Sequence, residues 1–68
     1  MRPVESRAVS AMGYDAGSRT LFVRFREGKL YAYLDVPEAV FSAFLDAPSK
    51  GRFFHAEIDP QYGYVRLG

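Results

Sequence analysis

Cysteine is absent from this chain of 68 residues. Its absence excludes a disulfide framework and any metal site that needs a thiolate ligand. No apolar run approaches the roughly 20 residues that a transmembrane helix requires, and Met1-Arg2-Pro3 leads into no signal-peptide core. We therefore expect a soluble, cytoplasmic protein that has no membrane partner.

Residues that carry catalysis are also scarce. His55 is the only histidine, and with Asp59 it offers two ligands where zinc needs three or four. The segment His55-Ala56-Glu57 matches half of a zinc deaminase signature, whose other half requires cysteine. The chain contains neither a Gly-x-Ser-x-Gly nucleophile elbow nor a glycine-rich phosphate loop. We expect a non-enzymatic protein with no metal, no cofactor and no small-molecule substrate.

The residues that are present favour a folded domain. Hydrophobic residues make up 49% of the chain and aromatic residues 16%, which argues against disorder. The length predicts a single domain over residues 1–68. A chain of this size buries only about 60% of its unfolded surface, so each large apolar side chain must be well placed or a partner must cover it.

Charge is unevenly distributed, although the net charge is only +1. Residues 1–34 contain six basic and three acidic side chains, whereas residues 35–68 contain three basic and five acidic ones. A basic patch around Arg24, Arg26 and Lys29 would bind phosphates with modest, salt-sensitive affinity.

Two apolar runs predict a β-hairpin. Thr20–Phe25 is rich in β-branched and aromatic residues, and Leu30–Leu34 follows after a short connection. A two-residue turn at Glu27-Gly28 would place Tyr31 and Tyr33 on an exposed face beside arginines, as in a platform for single-stranded nucleic acid.

A three-residue loop over Arg26–Gly28 gives the other register. It needs a left-handed backbone only at Gly28, whereas the two-residue turn also needs one at Glu27, which that residue resists. The loop pairs Val23 with Tyr31 and Leu21 with Tyr33, so both tyrosines turn toward the core. We favour this register.

The rest of the chain predicts one strand before the hairpin and two helices and a strand after it. Pro37 and Glu38 suit a first helical turn, Pro48 ends that helix, and Ser49 is a good N-cap for the next. The order is β-β-β-α-α-β, an α+β fold in which two short helices pack on one face of a small antiparallel sheet. The predicted segments are Ala8–Gly13, a helix from Asp35 to Ala47, a helix over Lys50–Glu57 and a strand over Tyr62–Leu67.

Two surfaces remain as candidate binding sites. Phe22, Leu30 and Leu34 line the sheet face away from the helices, which predicts a homodimer or a protein partner. Lys50 and Arg52 lie at the start of the second helix, where free backbone N–H groups attract a phosphate.

The assembled pattern resembles the KTSC domain family, small domains named after the C-terminal domain of lysyl-tRNA synthetase. The resemblance runs from about Val4 to the end of the chain. Phe41 and His55 stand where tyrosine and asparagine are expected. The matching residues are Gly13-Tyr14-Asp15, Leu21-x-Val23-x-Phe25, Gly28, Tyr31-x-Tyr33, Val36-Pro37, Val40-Phe41, Ser49-x-Gly51, Phe54-His55 and Ile58.

The resemblance implies a bacterial module of unknown function for which RNA binding has been suggested, and it assigns no catalytic residue. We therefore predict RNA binding by neutralisation of the phosphate backbone, with little recognition of the base sequence. The alternative is protein interaction or homodimerisation through Phe22, Leu30 and Leu34. The residues predicted to bind RNA are Arg24, Arg26, Lys29, Lys50 and Arg52.

Overall fold

A computed structural model describes residues 2–4 and 6–68, and within them the strands form one antiparallel sheet in chain order. The fold confirms the predicted α+β class and adds a two-residue edge strand, β1. No helix among the described residues is long and apolar enough to cross a membrane. The strands are β1 (Arg2–Pro3), β2 (Val9–Asp15), β3 (Thr20–Phe25), β4 (Leu30–Tyr33) and β5 (Tyr64–Arg66); the helices are α1 (Glu38–Asp46) and α2 (Lys50–Phe53), with a π-helical turn over Phe54–Ile58.

The β3–β4 hairpin has the predicted three-residue loop. Val23 pairs with Tyr31 and Leu21 with Tyr33. The Phe25 N–H donates to the Lys29 carbonyl at 2.8 Å, and Gly28 adopts a φ of 99°. Only glycine takes that backbone conformation without strain. The alternative, an exposed platform of both tyrosines beside Arg24, is therefore wrong.

Both helices pack on one face of the sheet, as predicted. α1 contributes Phe44, and the π-helical turn contributes Phe54 and Ile58, which are both buried. The Phe44 ring stacks on Phe53 with centroids 5.3 Å apart. The buried cluster that joins sheet and helices consists of Val9, Met12, Leu21, Val23, Tyr33, Val36, Phe44, Phe54 and Ile58.

The start of α1 differs from the prediction in detail. Pro37 is the N-cap rather than the first helical residue, and its carbonyl accepts the Val40 N–H at 3.0 Å. Asp35 has a φ of 56° and turns the chain out of β4. The helix predicted to run from Asp35 therefore begins only at Glu38, and no side chain of the described residues caps it.

The second helix is shorter than the predicted Lys50–Glu57 segment and changes type. The Ser49 hydroxyl accepts the Arg52 N–H at 3.3 Å, which confirms Ser49 as the N-cap. From Phe54 the helix widens, and the Asp59 N–H donates to the Phe54 carbonyl at 2.9 Å, five residues back.

Candidate functional site

The cationic side chains at the hairpin end of the sheet form what we call the basic edge: Arg7, Arg24, Arg26 and Lys29. Nε of Arg26 donates to the Ser6 carbonyl at 2.7 Å, and Nη1 of Arg24 donates to the Gly28 carbonyl at 3.3 Å. Both side chains are exposed. A guanidinium has five N–H donors, so each is held in place by one bond while the others remain available to a ligand.

Arg7 extends this surface and was not identified from the sequence. The Arg26 N–H donates to the Ala8 carbonyl at 2.9 Å, which fixes the segment before β2 against the hairpin loop. Arg7 and Arg26 consequently line one shallow depression together with Glu27, whose carboxylate pairs with Lys29. A second depression is lined by Arg7 and by the start of α2 at Ser49. The only sequence signal for Arg7 was its share in the basic first half of the chain.

Lys29 is the least available member of the basic edge. Its Nζ lies 3.3 Å from a carboxylate oxygen of Glu27, and the two side chains are 42% and 63% exposed. An ion pair this exposed contributes little free energy because water screens it. A phosphate can therefore compete with Glu27 for the Lys29 ammonium.

Lys50 is bonded within the chain. Its Nζ donates to the Leu45 carbonyl at 2.8 Å and to the Ala47 carbonyl at 2.5 Å. The last turn of α1 has no basic residue of its own, so Lys50 supplies the cation that favours a helix C-terminus. The Arg52 side chain is exposed and lines neither depression of the basic edge.

The face of the sheet away from the helices, which we call the open face, carries the three predicted interface residues. Phe22 and Leu30 are half-buried, and Leu34 is 44% exposed. β5 adds Val65, which pairs with Ala32 on this face and is 49% exposed. Val65 was not predicted from the sequence, because the position of β5 beside β4 depends on the return of the chain after both helices.

The opposite, helix-covered side contains an aromatic cleft between β3–β5 and the π-helical turn, with a volume of about 320 Å³. Tyr33 is buried, with 2% of its surface exposed. Burial first, and then the Asp59 carboxylate, raise the pKa of the Tyr33 hydroxyl. The polar and aromatic side chains that line the cleft are Phe25, Glu27, Tyr31, Tyr33, Phe54, His55, Asp59 and Tyr64.

Known proteins resemble this chain over nearly all of its length. The family described as KTSC domain matches residues 5–62. The chain belongs to the KTSC domain family. A KTSC domain protein from Yersinia pestis of known crystal structure is 41% identical, with a TM-score of 0.94 over 98% of this chain and 94% of that one.

Two further relatives show in which kinds of protein similar sequences occur. A protein of Tsukamurella paurometabola is 43% identical over 67 residues, which are 98% of this chain and the whole of that protein. The lysine–tRNA ligase of Nostoc sp. strain PCC 7120 is 36% identical over 63 residues. Those residues are 93% of this chain but only 11% of the ligase. The domain is therefore a small part of that enzyme.

The residues that reveal a KTSC domain are mostly those that build its fold. Leu21, Val23 and Tyr33 are buried in the core, as are Phe54 and Ile58. Gly28 sets the hairpin loop. None of the basic-edge residues is among the motif positions of the resemblance. The family likeness therefore shows the fold, and the binding site has to be argued from the geometry of this chain.

Proposed function

We propose that this KTSC domain is a cytoplasmic, non-enzymatic module that binds RNA through phosphate contacts at the basic edge. The observation that carries the proposal is the placement of Arg7 and Arg26 in one depression, beside Arg24 and Lys29 at the same end of the sheet. The presence of the domain in lysine–tRNA ligases supports an RNA rather than a DNA ligand.

The geometry favours contact with the RNA backbone over base stacking. Tyr31 and Tyr33 lie on the helix side of the sheet, so they cannot form a stacking surface with Arg24. Phe22 shares the open face with Arg24 but is half-buried. Binding therefore depends on charge, and up to four phosphate contacts to a single strand predict a slope of log K against log salt of about −3.

Fluorescence anisotropy with a labelled single-stranded 20-mer RNA tests the proposal. We expect Arg7→Gln/Arg26→Gln to weaken binding by about tenfold at low salt, since it removes two of the four contacts. Arg19→Gln is the matched control, because Arg19 is an exposed arginine that precedes the opposite end of β3. Arg52→Gln measures the contribution predicted for the start of α2.

Two results would overturn the RNA proposal. One is the absence of binding by the wild-type protein at 50 mM salt, and the other is an affinity that does not change with salt concentration. An equal loss of binding free energy per removed charge in Arg19→Gln and in the double variant would show that only the net charge matters, and it would remove the basic edge as a defined site.

Self-association through the open face is the second candidate function. Leu34, Val65 and Leu67 are three of the four large apolar side chains that the described residues expose, and the strand register places all three on this face. If two copies pair through it, Leu34→Glu converts a dimer to a monomer in sedimentation equilibrium. Ala56→Glu adds the same charge on the π-helical turn and should leave the dimer intact. If the wild-type protein remains monomeric over a 100-fold range of protein concentration, this function is excluded.

A further inference from the structure

The aromatic cleft has a wall geometry that suits a compact ligand. The Tyr31 and Tyr64 rings have centroids 5.3 Å apart and an interplanar angle of 85°. The Tyr33 and Phe54 rings are 5.4 Å apart at 80°. Each of these pairs meets edge to face in direct contact, whereas the Tyr33 and Tyr64 rings are tilted at 39°, so the rings form one continuous aromatic wall along the cleft.

The charges around the cleft are negative. Glu27 and Asp59 line it, whereas no lysine or arginine of the described residues does. Glu27 is paired with Lys29, but the Asp59 carboxylate has no ion pair or side-chain hydrogen bond among the described residues. An anionic ligand would face Asp59 directly, so phosphate groups are disfavoured here.

Tyr33 presents a polar group to the cleft. Only 2% of the residue's surface is exposed, and its hydroxyl has no hydrogen-bond partner among residues 2–4 and 6–68. Tyr14, by comparison, donates its hydroxyl to the Val36 carbonyl at 2.6 Å. Every buried side-chain polar atom of the described residues has a partner, so the unpaired Tyr33 hydroxyl is reached by solvent and is available to a group that enters the cleft.

We propose that the aromatic cleft binds an organic cation, an ammonium or guanidinium group, against the wall formed by Tyr31, Tyr33 and Tyr64, with Asp59 as its counter-ion. Aromatic rings attract cations through their negative faces, and the Tyr33 hydroxyl can accept an N–H from the same group. A neutral apolar ligand would displace water from the Asp59 carboxylate and the Tyr33 hydroxyl without replacing the hydrogen bonds of that water. The chemistry is shared by a lysine or arginine side chain of a peptide and by a free polyamine.

NMR titration of the ¹⁵N-labelled chain tests the cation site with two matched probes. Nα-acetyl-lysine methylamide carries the ammonium, and Nα-acetyl-norleucine methylamide has a similar apolar stem without it. We expect the lysine probe to shift the amides of Tyr33, Phe54 and Asp59, and the norleucine probe to shift them at least about fivefold less at equal concentration.

Variants separate charge from shape. Asp59→Asn should lower the affinity for the lysine probe by about fivefold, because it removes one exposed counter-charge. Asp46→Asn removes an exposed carboxylate at the end of α1, which does not line the cleft, and should change nothing. Tyr33→Phe tests the hydroxyl while keeping the ring. Equal binding of both probes, no shift with either, or an unchanged affinity in Asp59→Asn overturns the proposal.

Spermidine and a pentapeptide with one central lysine distinguish the two sources of the cation. Tighter binding of spermidine would identify a free polyamine as the ligand, and tighter binding of the peptide would identify a protein side chain. If neither of them binds, the proposal is overturned. The result is independent of RNA binding, because Asp59→Asn does not alter the basic edge and Arg7→Gln does not alter the cleft.

Discussion

The ammonium of Lys50 lies 2.8 Å from the carbonyl oxygen of Leu45, so the first residue of α2 closes the last turn of α1. A basic residue at a helix N-terminus opposes the dipole of its own helix. Lys50 instead points to the negative end of α1, where the Ala47 carbonyl accepts a second bond. This contact couples the two helices across the Pro48-Ser49 connection.

Loss of this contact should destabilise the domain. Lys50→Met keeps most of the side-chain length but leaves the Leu45 and Ala47 carbonyls without their charged donor. We expect the free energy of unfolding to fall by about 1–2 kcal/mol in urea titration. Arg52→Met is the control, because Arg52 is exposed and its side chain has no partner among the described residues; its effect should stay within about 0.5 kcal/mol.

The Tyr14 hydroxyl should contribute to stability through one bond. It donates to the Val36 carbonyl at 2.6 Å, while the ring stacks on Phe41 with centroids 5.2 Å apart. Tyr14→Phe keeps the stack and removes the bond, so we expect a loss of about 1 kcal/mol in thermal or urea unfolding. Tyr62→Phe is the matched control, since Tyr62 is half-buried and its hydroxyl has no partner in the described part of the chain. An equal loss in both variants would contradict the assigned role of the Val36 contact.

The hairpin loop should require glycine at position 28 for its backbone conformation, and not for lack of room for a side chain. A Cβ at Gly28 would meet no atom of the described residues within 4 Å, its two chain neighbours aside, but φ is +99°. Gly28→Ala should therefore cost about 1–2 kcal/mol of stability. Gly63 is equally open and has no such φ. Gly63→Ala should be neutral or stabilise the fold by up to about 1 kcal/mol, and a similar loss in both alanine variants would refute the conformational explanation.

The Gly28 loop also shows which features could be predicted from the sequence. The register of β3 and β4 depends on local backbone preferences, since Glu27 resists a positive φ and Gly28 accepts it. The pairing of Val23 with Tyr31 followed from that argument. The Ser49 cap was likewise a local feature, recognisable from residue type and the preceding Pro48.

The binding surfaces could be predicted only in part, because they combine distant segments. Arg24 and Arg26 were identified on the hairpin, but Arg7 joins them through a backbone bond between Arg26 and Ala8. Tyr64 reaches the tyrosines of β4 only because β5 returns to pair with that strand. No periodicity in the sequence encodes such long-range placement. The bonds from Lys50 to the Leu45 and Ala47 carbonyls span only five and three residues, but residue type alone does not determine that the Lys50 side chain turns back toward α1.

Tyr33 should make the domain less stable at high pH. Burial and the nearby Asp59 carboxylate raise the pKa of its hydroxyl in the folded state, whereas an unfolded tyrosine ionises near pH 10. Below about pH 10 both states hold the proton, and the stabilisation from the neutral buried hydroxyl is fully present. As pH rises further the unfolded state loses its proton first, so stability falls by about 1.4 kcal/mol per pH unit until the folded pKa is reached. Urea unfolding from pH 9 to 11 should show this slope as the difference in stability between wild type and Tyr33→Phe. The other titratable groups are the same in both proteins, so their contributions cancel in that difference. Parallel curves for the two proteins would show that the folded environment does not hold the Tyr33 hydroxyl neutral.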